Sequence, residues 1–304
     1  MTAARASGAP SDAVGVIGLG AMGAACARHL VGKGRRVVGY DLDSAARDRL
    51  VADGGEAAAD IADLARRCAP IIVFVVNAAQ VDTVVAAIEP HLRPDAVIIQ
   101  CATVPVGFIE GLATKLERNG RLLLDAPVSG GVAGAGSGAL TIMASGAPDA
   151  FARARPVLND MAAKVFDFGP KAGAGSMVKT INQLFAGVHL AVLGEALALG
   201  QAAGLDPARL LEVYGGSAAA SWMMNDRGPR ALQASPPSRS AIDIFVKDLG
   251  LVAEAAKANG LDLSVAEAAH RRFAAASSEG MGRQDDSQLW RSILARGRGD
   301  GTKA

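Results

Sequence analysis

The chain has 304 residues, a formal charge of +1, half of its residues hydrophobic and only 4% aromatic. That length accommodates two domains with substantial cores, and 31 basic against 30 acidic residues give no case for nucleic-acid or membrane-surface binding. Three scattered cysteines, Cys26, Cys68 and Cys101, argue against a disulfide framework and for a reducing compartment, and four histidines far apart in sequence support no metal site.

Residues Met1 to Asp12 are small and polar, carry no apolar signal core and are expected to be disordered. A β-branched run, Val14 to Ile17, then feeds into G-x-G-x-x-G from Gly18 to Gly23, and a helical pattern follows at once. Gly18 permits the tight strand-to-helix turn, Gly20 lets backbone approach a pyrophosphate, and Gly23 lets the helix pack closely on the sheet. Leu19, Ala21 and Met22 complete the turn, and the phosphates would sit on unpaired N–H groups at the helix N-terminus. A second strand, Val37 to Tyr40, ends on Asp41, about 20 residues further on, where an acid accepts from a free ribose 2′-OH and repels a 2′-phosphate. Leu42, Asp43 and Ser44 supply no arginine for such a phosphate, so NAD is expected over NADP. Asp43 suits a helix N-cap.

Continuous apolar runs at Ile71–Val76, Ala96–Gln100, Leu122–Ala126 and Leu140–Ala144 read as parallel strands covered on both faces. Helical stretches at 81–88, 106–118 and 150–158 lie between or after them. This alternation predicts an α/β fold with a Rossmann-type, doubly wound parallel sheet. The breakers Phe168-Gly169-Pro170-Lys171 close the pattern. The expected organisation is an NAD-binding domain over residues 1–172 and an all-helical substrate and oligomerisation domain over 173–304, with the site in the cleft between them. A long helix is expected from near Ser176 towards Gly204, with one apolar stripe of Val178, Ile181, Phe185, Val188 and Val192, part of it open to cover by another subunit. Further helices are expected at 207–214, 244–259, 265–277 and 287–295. Leu184–Gly200 is the most apolar stretch, but His189 and Glu195 interrupt it, so it reads as a buried helix of a soluble, cytoplasmic protein. Arg296, Arg298 and Lys303 form a small basic tail, a solvated end.

Lys179 and Asn182 stand at i, i+3 near the start of that long helix, on one face and off the apolar stripe. A lysine there would face solvent or a cleft. To serve as a general base it needs a pKa lowered from about 10.4 by roughly two units, about 2.7 kcal/mol of environmental bias. A helix N-terminus acts in that direction; spacing alone does not make the residue catalytic, and taken by itself it reads as an exposed surface lysine. In Asp125-Ala126-Pro127-Val128-Ser129-Gly130-Gly131, the Ser129 hydroxyl and the Gly130 and Gly131 amides form either a cradle for a small carboxylate or a plain turn. Asp125 can brace that turn through its own backbone. Lys247-Asp248 offers a second cation, or a surface charge pair.

Four strings in order, GLGAMG at Gly18–Gly23, DAPVSGG at Asp125–Gly131, GSMVKTINQ at Gly175–Gln183 and KDLGL at Lys247–Leu251, resemble the β-hydroxyacid dehydrogenase family of 3-hydroxyisobutyrate dehydrogenase type. The resemblance covers the chain from about Ala13 to Ile293. It implies that Lys179 is the catalytic lysine, that Ser129, Gly130 and Gly131 hold the substrate carboxylate, and that Asn182 orients the substrate. It also implies NAD contacts from Gly18, Leu19, Gly20, Ala21, Met22, Gly23, Asp41, Val76, Asn77, Thr103 and Lys247. Where the family often has Ser-Thr, this chain has Ala102-Thr103, so only the threonine carries over. A narrower likeness, to members acting on four-carbon sugar acids, rests on Val75–Val81, Asn182–Ala191, Ser221–Arg227 and Ser240–Val252. It implies NAD-dependent oxidation of such an acid, L-threonate foremost, at its C2 hydroxyl to the 2-oxo acid. The alternatives are a 3-hydroxyisobutyrate-type 3-hydroxyacid dehydrogenase, and a non-catalytic cofactor-binding module. A polyol acid would need polar partners for its extra hydroxyls, such as Asp243 or Asn225. Long apolar helices suggest a homodimer or homotetramer.

Overall fold

Most of the apolar runs become strands of one sheet. The structure, a computed structural model, describes residues 13–299; the expectations for residues 1–12 and for Lys303 lie outside the described residues, as does the side chain of Arg298. Contacts divide the chain into one unit ending at Lys179 and another beginning at Thr180.

In the first unit strands and helices alternate: β1 (Val14–Ile17), α1 (Ala21–Gly32), β2 (Val37–Tyr40), α2 (Ser44–Ala52), β3 (Glu56–Ala57), α3 (Ile61–Arg67), β4 (Pro70–Val73), α4 (Ala78–Ile88), β5 (Val97–Gln100), α5 (Val106–Arg118) and β6 (Leu122–Asp125). The six strands run parallel in the order β3-β2-β1-β4-β5-β6. Val14, Val16, Ile72 and Ile99 face one apolar layer, while Ile17, Ile71, Val73 and Ile98 face the other, which is why these strands read as unbroken hydrophobic runs. Between β1 and β4 the strand order reverses, and the crevice outside their carboxyl ends is where such sheets take ligands.

Leu140–Ala144 does not extend this sheet, contrary to the expectation from its composition. After β6 come β7 (Val128–Ser129), α6 (Gly131–Ser137), β8 (Leu140–Ala144), α7 (Pro148–Met161) and β9 (Ala162–Asp167). β8 is the centre of a separate three-stranded sheet, antiparallel to β7 and parallel to β9. Beyond β6 the far edge of the parallel sheet meets this segment only at an antiparallel bridge between Asp125 and Ser145. Burial alone therefore did not distinguish the two sheets.

The helix α8 (Ala174–Ala202) begins in the first unit and continues through the second, followed by α9 (Pro207–Gly215), α10 (Trp222–Ala231), α11 (Ile242–Ala258), α12 (Ser264–Ala276) and α13 (Leu289–Gly299). The apolar stripe of α8 is largely its outer one: Ile181 is 48% exposed, Phe185 58% and Val192 58%. The packed face instead carries Lys179, Thr180, Gln183, Leu190, Ala191, Leu193, Leu197 and Ala198. Small residues permit this. A Cβ on Gly187 would stand 2.8 Å from the Leu249 side chain, and one on Gly194 3.1 Å from Ile293, so neighbouring helices approach α8 along its glycines. By length and composition α8 could cross a bilayer, yet half of its most apolar stretch is buried within the protein.

The turn after β1 is the tightest packing point of the first unit. Gly18 has φ +88°, and a Cβ there would lie 2.2 Å from the Phe74 carbonyl oxygen; one on Gly23 would lie 1.8 Å from the Gly18 carbonyl oxygen. Gly23→Ala should therefore cost about 2 kcal/mol through overpacking against backbone. The expected result is a lower urea midpoint with an unchanged m-value; an unchanged midpoint would mean that the turn relaxes freely.

Candidate active site

The carboxyl ends of the strands carry the residues singled out for cofactor binding. Asp41, directly after β2, accepts from the Leu19 N–H through Oδ2 at 2.6 Å and from the Asp43 N–H through Oδ1 at 2.9 Å. Its carboxylate is thus tied to the turn after β1 and oriented before any ligand arrives. Asp43 caps α2 through the Ala45 N–H, the role its position suggested. Gly20, the N-cap of α1, receives no side-chain cap, and a Cβ there would meet nothing within 4 Å. Open room above a helix N-terminus suits a pyrophosphate, and Asp41 suits an adenosine ribose beside it. The residues present therefore fit a nicotinamide dinucleotide.

After β4, Asn77 caps α4 through the Gln80 N–H, and the Gln80 carboxamide oxygen accepts from the Val76 N–H, leaving the Val76 side chain exposed. Thr103 follows β5, half-buried. Two neighbours here escaped the sequence reading. The buried Gln100 side chain bonds both the N–H and the carbonyl of Ala102, fixing the segment that leads to Thr103. Arg47, from α2, donates to the Asp41 carbonyl and lies over the Tyr40 ring, although no arginine follows Asp41 directly in sequence. Only helix periodicity could have pointed back to it.

The centre of the first unit is Asp125, at the end of β6 and wholly buried. Its Oδ2 accepts from the Gly173 N–H at 3.0 Å, the Ser176 N–H at 2.9 Å and the Ser145 hydroxyl at 3.2 Å, and its Oδ1 from the Ser176 hydroxyl at 2.7 Å. Ser145 in turn accepts from the Gly175 N–H. The N–H groups of Gly175 and Ser176 in the first turn of α8, and of Gly173 just before it, thus end on this cluster, as orphan donors at a helix start require. Burial pushes the Asp125 carboxyl up, opposed by the bonds from Ser176, Gly173 and Ser145. Sequence suggested only that Asp125 braces its own turn; its partners lie 20 to 51 residues away, where no local pattern could reveal them. Lys179, one turn beyond Ser176 on the same face, is buried rather than solvent-facing. Ser129 pairs with Thr141 across β7 and β8, and Gly130 and Gly131 follow with φ +127° and +62°.

In the second unit the Lys247 ammonium bonds the Asp248 carboxylate, which also accepts from the Gln183 carboxamide. Asp248 is buried, so the pair is no exposed charge couple. Asn182 is half-buried on α8. The string Ser221–Arg227 opens α10, a helix that sequence pattern did not suggest, and it carries a buried ion lattice. Arg227 bonds Asp226 and Asp286, while Arg230 bonds Asp226, Asp285 and Asp286. Burial lifts the Asp286 carboxyl against the pull of Arg227. At Asp285 burial also acts upward, but bonds from Ser287, the Arg239 N–H and Arg230 outweigh it and hold the carboxyl low. Asp243 accepts from the Ser277 hydroxyl.

A dinucleotide cradle at the switch point of a parallel sheet, followed by a helical unit entered through a lysine-bearing helix, defines a nicotinamide-dependent dehydrogenase architecture. Family models agree: residues 13–169 match the NAD-binding domain of 6-phosphogluconate dehydrogenase, and residues 173–293 match the NAD-binding domain of NADP-dependent 3-hydroxyisobutyrate dehydrogenase. The chain is 44% identical to L-threonate dehydrogenase of Cupriavidus necator over 91% of its own length and 94% of that protein's. It is 41% identical to L-threonate dehydrogenase of Escherichia coli K12 over 91% and 93%. A crystal structure of 3-hydroxyisobutyrate dehydrogenase from Salmonella typhimurium superposes with a TM-score of 0.88 at 39% identity, covering 92% of this chain and 99% of that one. The chain belongs to the β-hydroxyacid dehydrogenase family and is an NAD-dependent hydroxyacid dehydrogenase.

The ion lattice explains the charged half of the Ser221–Arg227 string by packing. Arg230→Ala would leave two buried carboxylates short of a cation, and about 3–5 kcal/mol of stability should be lost. Thermal unfolding of the variant checks this; a melting point within a degree of the parent would refute it.

Proposed function

We propose that this dehydrogenase oxidises a four-carbon sugar acid, L-threonate foremost, at its C2 hydroxyl to the 2-oxo acid, with Lys179 as general base. The observation that carries the reading is Lys179 itself: a buried lysine early in α8, on the helix face anchored to the end of β6 through Ser176 and Asp125. Burial disfavours the ammonium form, as a base requires. Lys179 accepts the hydroxyl proton while the C2 hydrogen departs as hydride. Bound NAD+ supplies the hydride acceptor, so one C–H and one O–H bond break, C=O forms, and NADH and a proton result. The Ser129 hydroxyl and the Gly130 and Gly131 amides hold the substrate carboxylate, Asn182 orients the substrate, and together they place C2 at reacting distance. Gly18 to Gly23, Asp41, Val76, Asn77, Thr103 and Lys247 hold the cofactor. The oriented Asp41 carboxylate favours NAD over NADP, since a 2′-phosphate would meet a fixed negative charge.

The choice of L-threonate is supported by the two relatives of that name at 41–44% identity. A 3-hydroxy acid is the second reading, favoured by the name of the superposed Salmonella structure. Three buried, unpaired cysteines accord with a cytoplasmic enzyme.

Lys179→Ala should lower kcat at least a thousandfold on L-threonate while NAD affinity, read by protein fluorescence, stays within twofold. Near-normal turnover would remove the lysine from the mechanism. Assay of the parent with NAD and NADP against L-threonate and 3-hydroxyisobutyrate should give the highest kcat/KM for NAD with L-threonate; a higher value on 3-hydroxyisobutyrate would favour the second reading.

The outer stripe of α8, with Phe185 and Val192 both 58% exposed and Leu199 73%, supports a homo-oligomer that covers it with a second copy. Light scattering should give at least twice the chain mass, and Phe185→Asp should reduce it. A monomeric parent would defeat this assignment.

A further inference from the structure

We infer that Asp125 positions the Lys179 base, acting as a buried anion that fixes the start of α8 and sets the charge one helical turn beneath the amine. The inference rests on the reading of Lys179 as base.

The geometry is specific. Asp125 belongs to β6, so its carboxylate moves with the sheet whose edge holds the cofactor residues. Four donors reach it, and two of them are backbone N–H groups that can only donate. Those donors satisfy the carboxylate as an acceptor. Both N–H groups belong to the entry of α8, and Ser145 adds the N–H of Gly175. The fit leaves no slack, since a Cβ on Gly175 would lie 2.3 Å from the Met143 carbonyl oxygen and 3.1 Å from that of Asp125. The position of the first turn of α8 against β6 is therefore set within the span that precedes Lys179.

Ser176 and Lys179 stand at i, i+3, so their side chains are neighbours on one face, with Cβ atoms about 5–6 Å apart. The anion bonded to Ser176 hence lies one side-chain layer from the base. Two effects meet there. Burial favours the neutral amine, and the Asp125 charge opposes it. The position of the acid limb of turnover reflects both.

Asp125→Asn tests the charge with little change of shape, because its oxygen can face the two N–H groups and its NH2 the Ser176 hydroxyl. Two midpoints are read: the acid limb of kcat against pH, and the pH at which the Lys179 amine becomes reactive to trace acetylation, quantified by mass spectrometry without turnover. Both should move down by about one pH unit, the scale of a unit charge one or two turns away at an effective dielectric of about 20. KM for NAD should stay within twofold. A folded Asp125→Asn protein with parental midpoints would overturn the inference.

Ser145→Ala tests placement while keeping the anion, and it carries the test if Asp125→Asn fails to fold. It should lower kcat about three- to tenfold at unchanged KM for NAD; parental kcat overturns the placement claim. Lys179→Ala separates the two readings. Turnover in that variant sinks the base assignment, whereas an inactive Lys179→Ala with unshifted Asp125→Asn midpoints sinks only the role of Asp125.

Discussion

One buried carboxylate joins three segments of the first unit: the end of β6, the turn after β8 and the start of α8. Asp125 closes the last strand of the parallel sheet, receives the hydroxyl of Ser145 after β8, and takes the first N–H groups of α8. A helix start buried against a sheet leaves orphan donors that must find acceptors. A carboxylate meets that need better than a neutral group, because charge-assisted bonds are stronger. The cost is desolvation of a charge, seen in the upward push on its carboxyl. The return is a lysine-bearing helix whose start is referenced to the sheet.

The same economy of contact governs the rest of the chain. With few aromatic residues, close approach replaces bulk. Gly23 lets α1 sit against the Gly18 carbonyl, and Gly187 and Gly194 let α11 and α13 lean on α8. Large apolar side chains on α8 are then displaced outward, which leaves Phe185 and Val192 uncovered within the single chain. In the second unit the polar groups follow suit. Arg227 and Arg230 serve Asp226, Asp285 and Asp286, and Gln183 serves Asp248, so buried charge is compensated by short-range pairing.

Much of the first unit was readable in the linear chain because its signals are local. The run from Val14 to Gly23 and the position of Asp41 specify a strand, a turn, a helix and an acidic strand end. The spacing of the later apolar runs specifies parallel strands buried on both faces. The helix expected over 106–118 forms at Val106–Arg118. Short or polar elements escaped: β3 has two residues, β9 exposes Lys164 and Asp167, and α10 contains Pro229. Periodicity left the cover of α8 open, since a hydrophobic stripe marks a face that seeks cover without saying whether the same chain supplies it.

What the amino-acid order determined alone was the alternation of elements, the dinucleotide turn with its acidic partner, and the helical location of Lys179. Each depends on neighbours within a few residues or on a fixed interval of about 20. Only tertiary structure decided that β8 leaves the main sheet, that Lys179 is buried, that Arg47 reaches back to Asp41, and that Asp125 anchors α8. Those outcomes depend on hydrogen bonds and close packing between residues distant in sequence, and no spacing rule records which donor a buried acceptor will meet.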